Sequence, residues 1–109
     1  MGAFAIGDVV LVPFPYADFS KFKKRPALVV GYFEFDNLIL CQITSKAQTS
    51  KIAIPLSDAD FRKGSLSLDS YIRFDKLFTV EQQVLEGKVG SLKPTKYALV
   101  QSRIRDIFA

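Results

Sequence analysis

The chain has 109 residues, 49% hydrophobic and 13% aromatic, enough apolar material for a core without disulfides or a structural metal and too much for a disordered segment. A formal net charge of +4 permits an anionic partner without requiring one. With no histidine and a single cysteine, an intramolecular disulfide and every mechanism or metal site that needs an imidazole are excluded.

The N-terminal stretch MGAFAIGDVVLVPF has neither the basic start nor the apolar length of a signal peptide, and no window reaches the ~18 apolar residues of a membrane span. With the unpartnered Cys41 in LILCQI, these features fit a cytoplasmic protein. Gly7-Asp8 opens VVLVPFP, whose β-branched and aromatic content predicts a strand buried on both faces and ended by Pro13 and Pro15. YADFSKFKK has no period and reads as an exposed loop. In FKKRPALVV, three cations (Lys23, Lys24, Arg25) stand directly against Pro26 and an apolar run. With Lys21 they make a local positive field, and Asp18 is the only carboxylate near them in sequence.

A second strand is expected from Ala27 to about Phe35, a turn at Asp36-Asn37, and a third strand in LILCQIT, the pair forming a hairpin. KIAIPL supplies a short fourth strand, and LSDADFRKG reads as a turn or single helical turn closed by Gly64. SYIRFDKLFTV and VLEGKVGSL give two more extended segments. From Pro94 on, Tyr97, Val100, Ile104, Ile107 and Phe108 form an amphipathic helical stripe, with Pro94 suited to the first helical position. No repeat or linker divides residues 1–109, so one domain is expected: mainly β, a small strongly curved sheet or barrel with a C-terminal α-helix. Barrels of this size are filled by side chains, so a ligand must bind on loops or a sheet face.

Alternation in LILCQITSK sets Ile39, Cys41 and Ile43 on one face, taken as the core side, and Leu38, Leu40, Gln42 and Thr44 on the other. Gln42 and Thr44 then emerge together at the strand end, with Ser45 and Lys46 just beyond, either as a site or as hydroxyls that satisfy local backbone. In YIRFDKL the same alternation groups Tyr71, Arg73, Asp75 and Leu77 against Ile72 and Phe74. Arg73 and Asp75 are neighbours there, forming a surface ion pair or a phosphate- and base-reading pair. No Walker loop, GxGxxG, CxxC or EF-hand motif is present.

Taken in order, GDVVLVPFP, FKKRPALVV, CQITSK, YIRFDKLFTV and KVGSL resemble the MazF/PemK toxins of bacterial type II toxin–antitoxin pairs, over nearly the whole chain. The resemblance implies a small SH3-like barrel of the CcdB/MazF type with a C-terminal helix, and a homodimer. It also implies a sequence-specific, metal-independent endoribonuclease that cuts single-stranded RNA (mRNA) to 2′,3′-cyclic phosphate and 5′-OH ends, needs no cofactor, and is held inactive by a cognate, acidic antitoxin. Carried over residue by residue, Arg25 of the RP motif resembles the family's catalytic arginine and Thr44 of ITS its catalytic hydroxyl. Lys23, Lys24, Gln42, Ser45, Lys46, Arg73 and Asp75 are the expected RNA-binding residues, and the resemblance implies no metal ligand. YADFSKFKK departs from the family in lacking a Gly- and Glu-containing stretch before the arginine. Two other readings remain: a non-catalytic small-barrel binding module, and a gyrase-directed toxin of the CcdB type. The latter relies on a C-terminal tryptophan, and this chain has none.

Overall fold

Alternating apolar runs separated by turn signals fold into one sheet. Its strands are β1 (Asp8–Pro15), β2 (Phe22–Phe33), β3 (Asn37–Thr44), β4 (Ile54–Leu56), β5 (Phe61–Gly64), β6 (Ser70–Glu81) and β7 (Gly87–Leu92), and the helix α1 (Pro94–Ile107) follows. The computed structural model describes residues 4–15, 22–46 and 50–109, and only the backbone of residues 14, 15, 22 and 23. The seven strands run in the order β4-β6-β3-β2-β1-β7-β5, every pairing antiparallel, and the sheet curls into a half-barrel whose edges are β4 and β5.

Both faces of the central strands are buried. On the helix face Val9, Leu28, Cys41, Ile43, Ile72 and Phe74 pack with Val100, and Tyr97 and Ile104 extend the contact from α1. The Tyr97 hydroxyl donates to the Val30 carbonyl at 3.2 Å, which pins the first turns of the helix to β2. On the opposite face Val10, Val12, Ala27, Val29, Leu38 and Leu40 form a second cluster, covered in part by Phe4, Phe78, Val80 and Leu85. Leu38 and Leu40 therefore belong to a core as fully as Cys41 and Ile43, and the single core side expected for β3 is corrected to two. The cause is β3's place near the middle of a sheet covered on both sides.

Four local departures from the sequence expectation have physical causes. β2 starts at Phe22, before the expected Ala27, because Phe22 to Pro26 pair with Pro15 to Leu11, and β1 accordingly runs through Pro13. The FRKG segment is a strand, β5, held to β7 by a close backbone approach. Gly64 has φ +74°, and a Cβ there would collide with the Val89 carbonyl, while one on Gly90 would meet the Lys63 carbonyl and the Phe61 ring. In β6, Leu77 pairs with Cys41 but Arg73 with Gln42, so residues 74–76 have no partner in β3. That bulge shifts the alternation and moves Leu77 to the helix face, away from Arg73. Ile107 and Phe108 are exposed, so the buried stripe of α1 ends at Ile104.

The hairpin forms beside the expected turn, one residue earlier, at Phe35-Asp36 in place of Asp36-Asn37, with Asn37 already opening β3. Phe35 and Asp36 both have positive φ (61° and 60°), and the Asn37 N–H donates to the Glu34 carbonyl at 3.3 Å, as a primed turn requires. At the other end of the sheet, buried Asp8 accepts from the Ala5 N–H and the Ser91 hydroxyl, both at 2.8 Å, and lies 3.6 Å from Lys88 Nζ. These bonds tie β1 to β7 across 83 residues of sequence, and losing one side would strand a buried partner at a cost of ~1–3 kcal/mol.

Candidate functional site

β2 and β3 pair from Phe33–Asn37 down to Ala27–Gln42, where the ladder stops beside Pro26. Proline has no N–H with which to extend it. Beyond that point a shallow concavity of about 250 Å³ opens at the sheet end, lined by Lys24, Arg25, Pro26, Ile43, Thr44, Ser45 and Lys46. Continuing the register two places sets Arg25 opposite Thr44, and both line this concavity. The same row runs on into β6, since Thr44 pairs with Tyr71 and Gln42 with Arg73. Directly opposed residues share a face, so Arg25, Thr44, Gln42 and Arg73 all belong to the face away from the helix.

Thr44 is 6% exposed, and its Oγ1 accepts a bond from the Lys46 N–H at 3.2 Å. That bond uses an acceptor site of the hydroxyl and leaves its proton free to be donated. Arg25 is half-buried, lies across β1–β2 from Val12, and lines the concavity. Ser45 and Lys46 are exposed at the rim.

Arg73 and Asp75 form a bidentate pair, with Nε to Oδ1 at 2.9 Å and Nη2 to Oδ2 at 2.8 Å. The Arg73 side chain is 13% exposed and that of Asp75 36%. These bonds hold the Asp75 carboxyl below the usual carboxylate range and push the Arg73 guanidinium still higher. The bulge at 74–76 lets Asp75 turn back onto Arg73 while Phe74 fills the helix-face core.

The cations of FKKR are divided among different tasks. Lys24 binds Glu86 at 3.0 Å, a carboxylate 62 positions away that sequence proximity to Asp18 could not suggest. The Glu86 N–H donates to the Leu11 carbonyl at 2.9 Å, which brings that carboxylate beside β1 and within reach of β2. Lys21, Asp18 and the side chain of Lys23 lie outside the described residues. Among the described residues no group of three His, Cys, Asp or Glu side chains stands together as a metal site. Cys41 is fully buried, and burial pushes its thiol up to about 12, which leaves it unfit as a nucleophile. No helix among the described residues is long and apolar enough to cross a membrane.

A curled antiparallel half-barrel is backed by one helix, with an arginine and a buried hydroxyl lining one cationic concavity at its end, a class of small β folds with one terminal helix. The chain belongs to the PemK-like, MazF-like toxins of type II toxin–antitoxin systems, whose sequence profile matches residues 5–108. Among solved structures, a MazE–MazF complex from Deinococcus radiodurans superposes with TM-score 0.77 at 15% identity, covering 99% of this chain and 97% of that one. An endoribonuclease in complex with its cognate antitoxin, from a mycobacterial species, gives TM-score 0.70 at 15% identity, covering 98% and 93%. A second crystal form of the Deinococcus complex gives 0.72 at 17% identity, covering 94% and 92%. At these identities the likeness is one of fold. No curated protein sequence matches significantly.

Proposed function

We propose that this toxin is a metal-independent endoribonuclease that cleaves single-stranded RNA at specific sequences, with Arg25 and Thr44 as its catalytic residues. The observation that carries this reading is the convergence of Arg25 and Thr44 on one concavity, although they lie 19 positions apart in sequence. RNA brings its own nucleophile. The 2′-oxygen attacks phosphorus and loses its proton, the P–O5′ bond breaks, and the departing 5′-oxygen gains a proton, leaving a 2′,3′-cyclic phosphate and a 5′-OH. The protein has to align these atoms and meet the charge that grows on the phosphoryl oxygens.

Arg25 suits that charge because a guanidinium is a planar fork that donates two bonds to phosphate. Thr44, with its oxygen engaged by the Lys46 N–H, donates its proton to a phosphoryl oxygen. Gln42, Ser45, Lys46 and Lys24 line or flank the path of the strand, with Lys23 expected in the adjoining segment. Arg73, fixed by Asp75, contacts a neighbouring phosphate or base edge. The working unit is a homodimer, and the regulator is an acidic antitoxin, partly disordered until it covers the basic end of the sheet. The solved relatives described as complexes with MazE or with a cognate antitoxin support a partner of that kind.

The test is cleavage of a long, mixed-sequence, end-labelled RNA in EDTA by the wild type, Arg25→Ala and Thr44→Val, with product ends identified chemically. Discrete cyclic-phosphate and 5′-OH fragments that both variants fail to give support the reading. Intact RNA with the wild type, alongside retained RNA binding, would leave a binding module.

A further inference from the structure

The row that carries Arg25 and Thr44 does not end at β3. Thr44 pairs with Tyr71, and Tyr71 with Pro55 on the edge strand β4. A second concavity, of about 190 Å³, opens next to them and is lined by Pro55, Tyr71, Ser57, Asp60, Asp69 and Lys96 among others. Pockets that enclose whole small molecules run to ~300–1,000 Å³, so this one is of a size for a single planar group. Its backbone row lies only about two strand spacings, ~10 Å, from that of Arg25.

The two concavities have opposite electrostatic character. Among the described residues the first is lined by Lys24, Arg25 and Lys46 and by no carboxylate, which suits a phosphate. The second holds two carboxylates against one lysine, which repels a phosphate and favours a neutral group rich in N–H donors. Asp60 is already engaged, by the Ser57 N–H at 2.9 Å and by Lys96 Nζ at 3.4 Å. Asp69 is exposed, and its side chain has no hydrogen bond or ion pair among the described residues. The half-buried Tyr71 ring and the exposed Pro55 ring share one face beside it, a surface on which a base can stack.

We infer that the Tyr71–Pro55–Asp69 pocket reads one nucleobase of the bound strand, and that this base is guanine. Guanine alone among the four bases places two adjacent N–H donors, N1–H and N2–H₂, on one edge, and a carboxylate accepts both in a fork. Adenine and cytosine offer a donor beside an acceptor, and uracil one donor between two acceptors. The inference rests on the ribonuclease reading for its place in the reaction, but its test does not need cleavage.

The probes are single-stranded 2′-fluoro oligonucleotides, which lack the nucleophile, built on a uridine background with guanine, adenine or cytosine at each position in turn. Binding to the wild type, Asp69→Asn and Tyr71→Leu is measured by fluorescence anisotropy, with thermal melting as the folding control. At one position guanine should bind about tenfold or more above uridine. Asp69→Asn should abolish that preference while leaving the background affinity within about threefold. Tyr71→Leu should weaken guanine, adenine, cytosine and uridine at that position by about fivefold or more each while keeping guanine first. Equal affinity for all four bases at every position, no binding of any probe, or a guanine preference that survives Asp69→Asn would overturn the inference. An intact guanine preference sensitive to Asp69 in a protein that cuts no all-ribose RNA supports the pocket and removes the ribonuclease reading alone.

Discussion

Arg25→Ala should lower single-turnover cleavage by about 10²–10³-fold, because one preorganised donor aimed at developing oxyanion charge is worth ~2.7–4 kcal/mol of barrier. The half-open concavity favours the lower end of that range, since water screens part of the interaction. Among the described residues no neighbour is placed to take over. Lys24 is occupied by Glu86 at 3.0 Å, and Lys46 is an exposed rim residue. A second effect must be separated from the first, because Arg25 faces Val12, itself only 2% exposed, and truncation uncovers apolar surface there. That loss is of order 1 kcal/mol of stability and acts on folding rather than on the barrier. Arg25→Lys keeps both the stem and the charge and removes only the fork. It should melt close to the wild type and still cleave about tenfold or more slowly. The assay is single-turnover cleavage at saturating protein, beside thermal melts of all three proteins. An Arg25→Ala rate within about threefold of wild type would refute the electrostatic role, and an Arg25→Lys rate equal to wild type would refute the need for a planar donor.

Thr44→Val keeps the buried shape and removes the hydroxyl, so cleavage should fall about tenfold or more while stability drops by only ~0.5–1.5 kcal/mol, the loss expected when the Lys46 N–H loses its acceptor. Glu86→Gln frees Lys24 for phosphate, which should raise RNA affinity at low salt and steepen the slope of log affinity against log salt by about 0.7; filter binding from low to high salt reads it. Asp75, held low by Arg73, contributes stability that is present above its unfolded value of about 3.9 and is lost as pH falls through its depressed folded value. Asp75→Asn should therefore lower stability modestly above about pH 4, where the ionised pair contributes, converge with the wild type in acid, and so flatten the acid limb of a urea-stability series. The described residues lining the Arg25 concavity include no histidine, aspartate or glutamate, so the cleavage rate should rise with pH from about 5 to 8 without the fall that a catalytic acid of those types would impose; a bell in that range, measured under single-turnover conditions, would show a proton-transfer group not yet identified.

The strands with β-branched runs and the Pro94 helix are legible because period and turn residues agree there. β5 is not, since FRKG has neither alternation nor branched residues, and what makes it a strand is a contact between two glycines distant in sequence, Gly64 and Gly90. The bulge at 74–76 carries no glycine or proline to announce it, and it moves Leu77 across the sheet. The site divides in the same way. Arg25 and Thr44 stand out through family resemblance, but their closeness depends on a register, Ala27 opposite Gln42, that no local pattern specifies. The Glu86 partner of Lys24, 62 positions away, depends on a far longer-range pairing, and the Tyr71 pocket on the pairing of the short edge strand β4 with β6, which no local pattern specifies either.

The division of charge along one sheet end bears on both rate and selectivity. Arg25 and Thr44 are held by the backbones of adjacent strands, so their relative position owes little to mobile side chains, and the proposed catalysis draws on orientation and fixed charge. With no histidine or carboxylate among the described lining residues, the acid–base assistance such groups give, worth ~10²–10⁴-fold, is missing from them and turnover should be slow. For a toxin, slow cutting at few sites is compatible with growth arrest, because one break suffices to inactivate a message. Selectivity must then come from binding, and the row from Arg25 through Thr44 and Tyr71 to Pro55 leads from a cationic concavity to an acidic one. In the proposed complex a strand lying along it would be held by phosphate at one end and read by a base at the other. Mutations at the two ends should therefore separate, those at Arg25 changing how fast RNA is cut and those at Asp69 changing where.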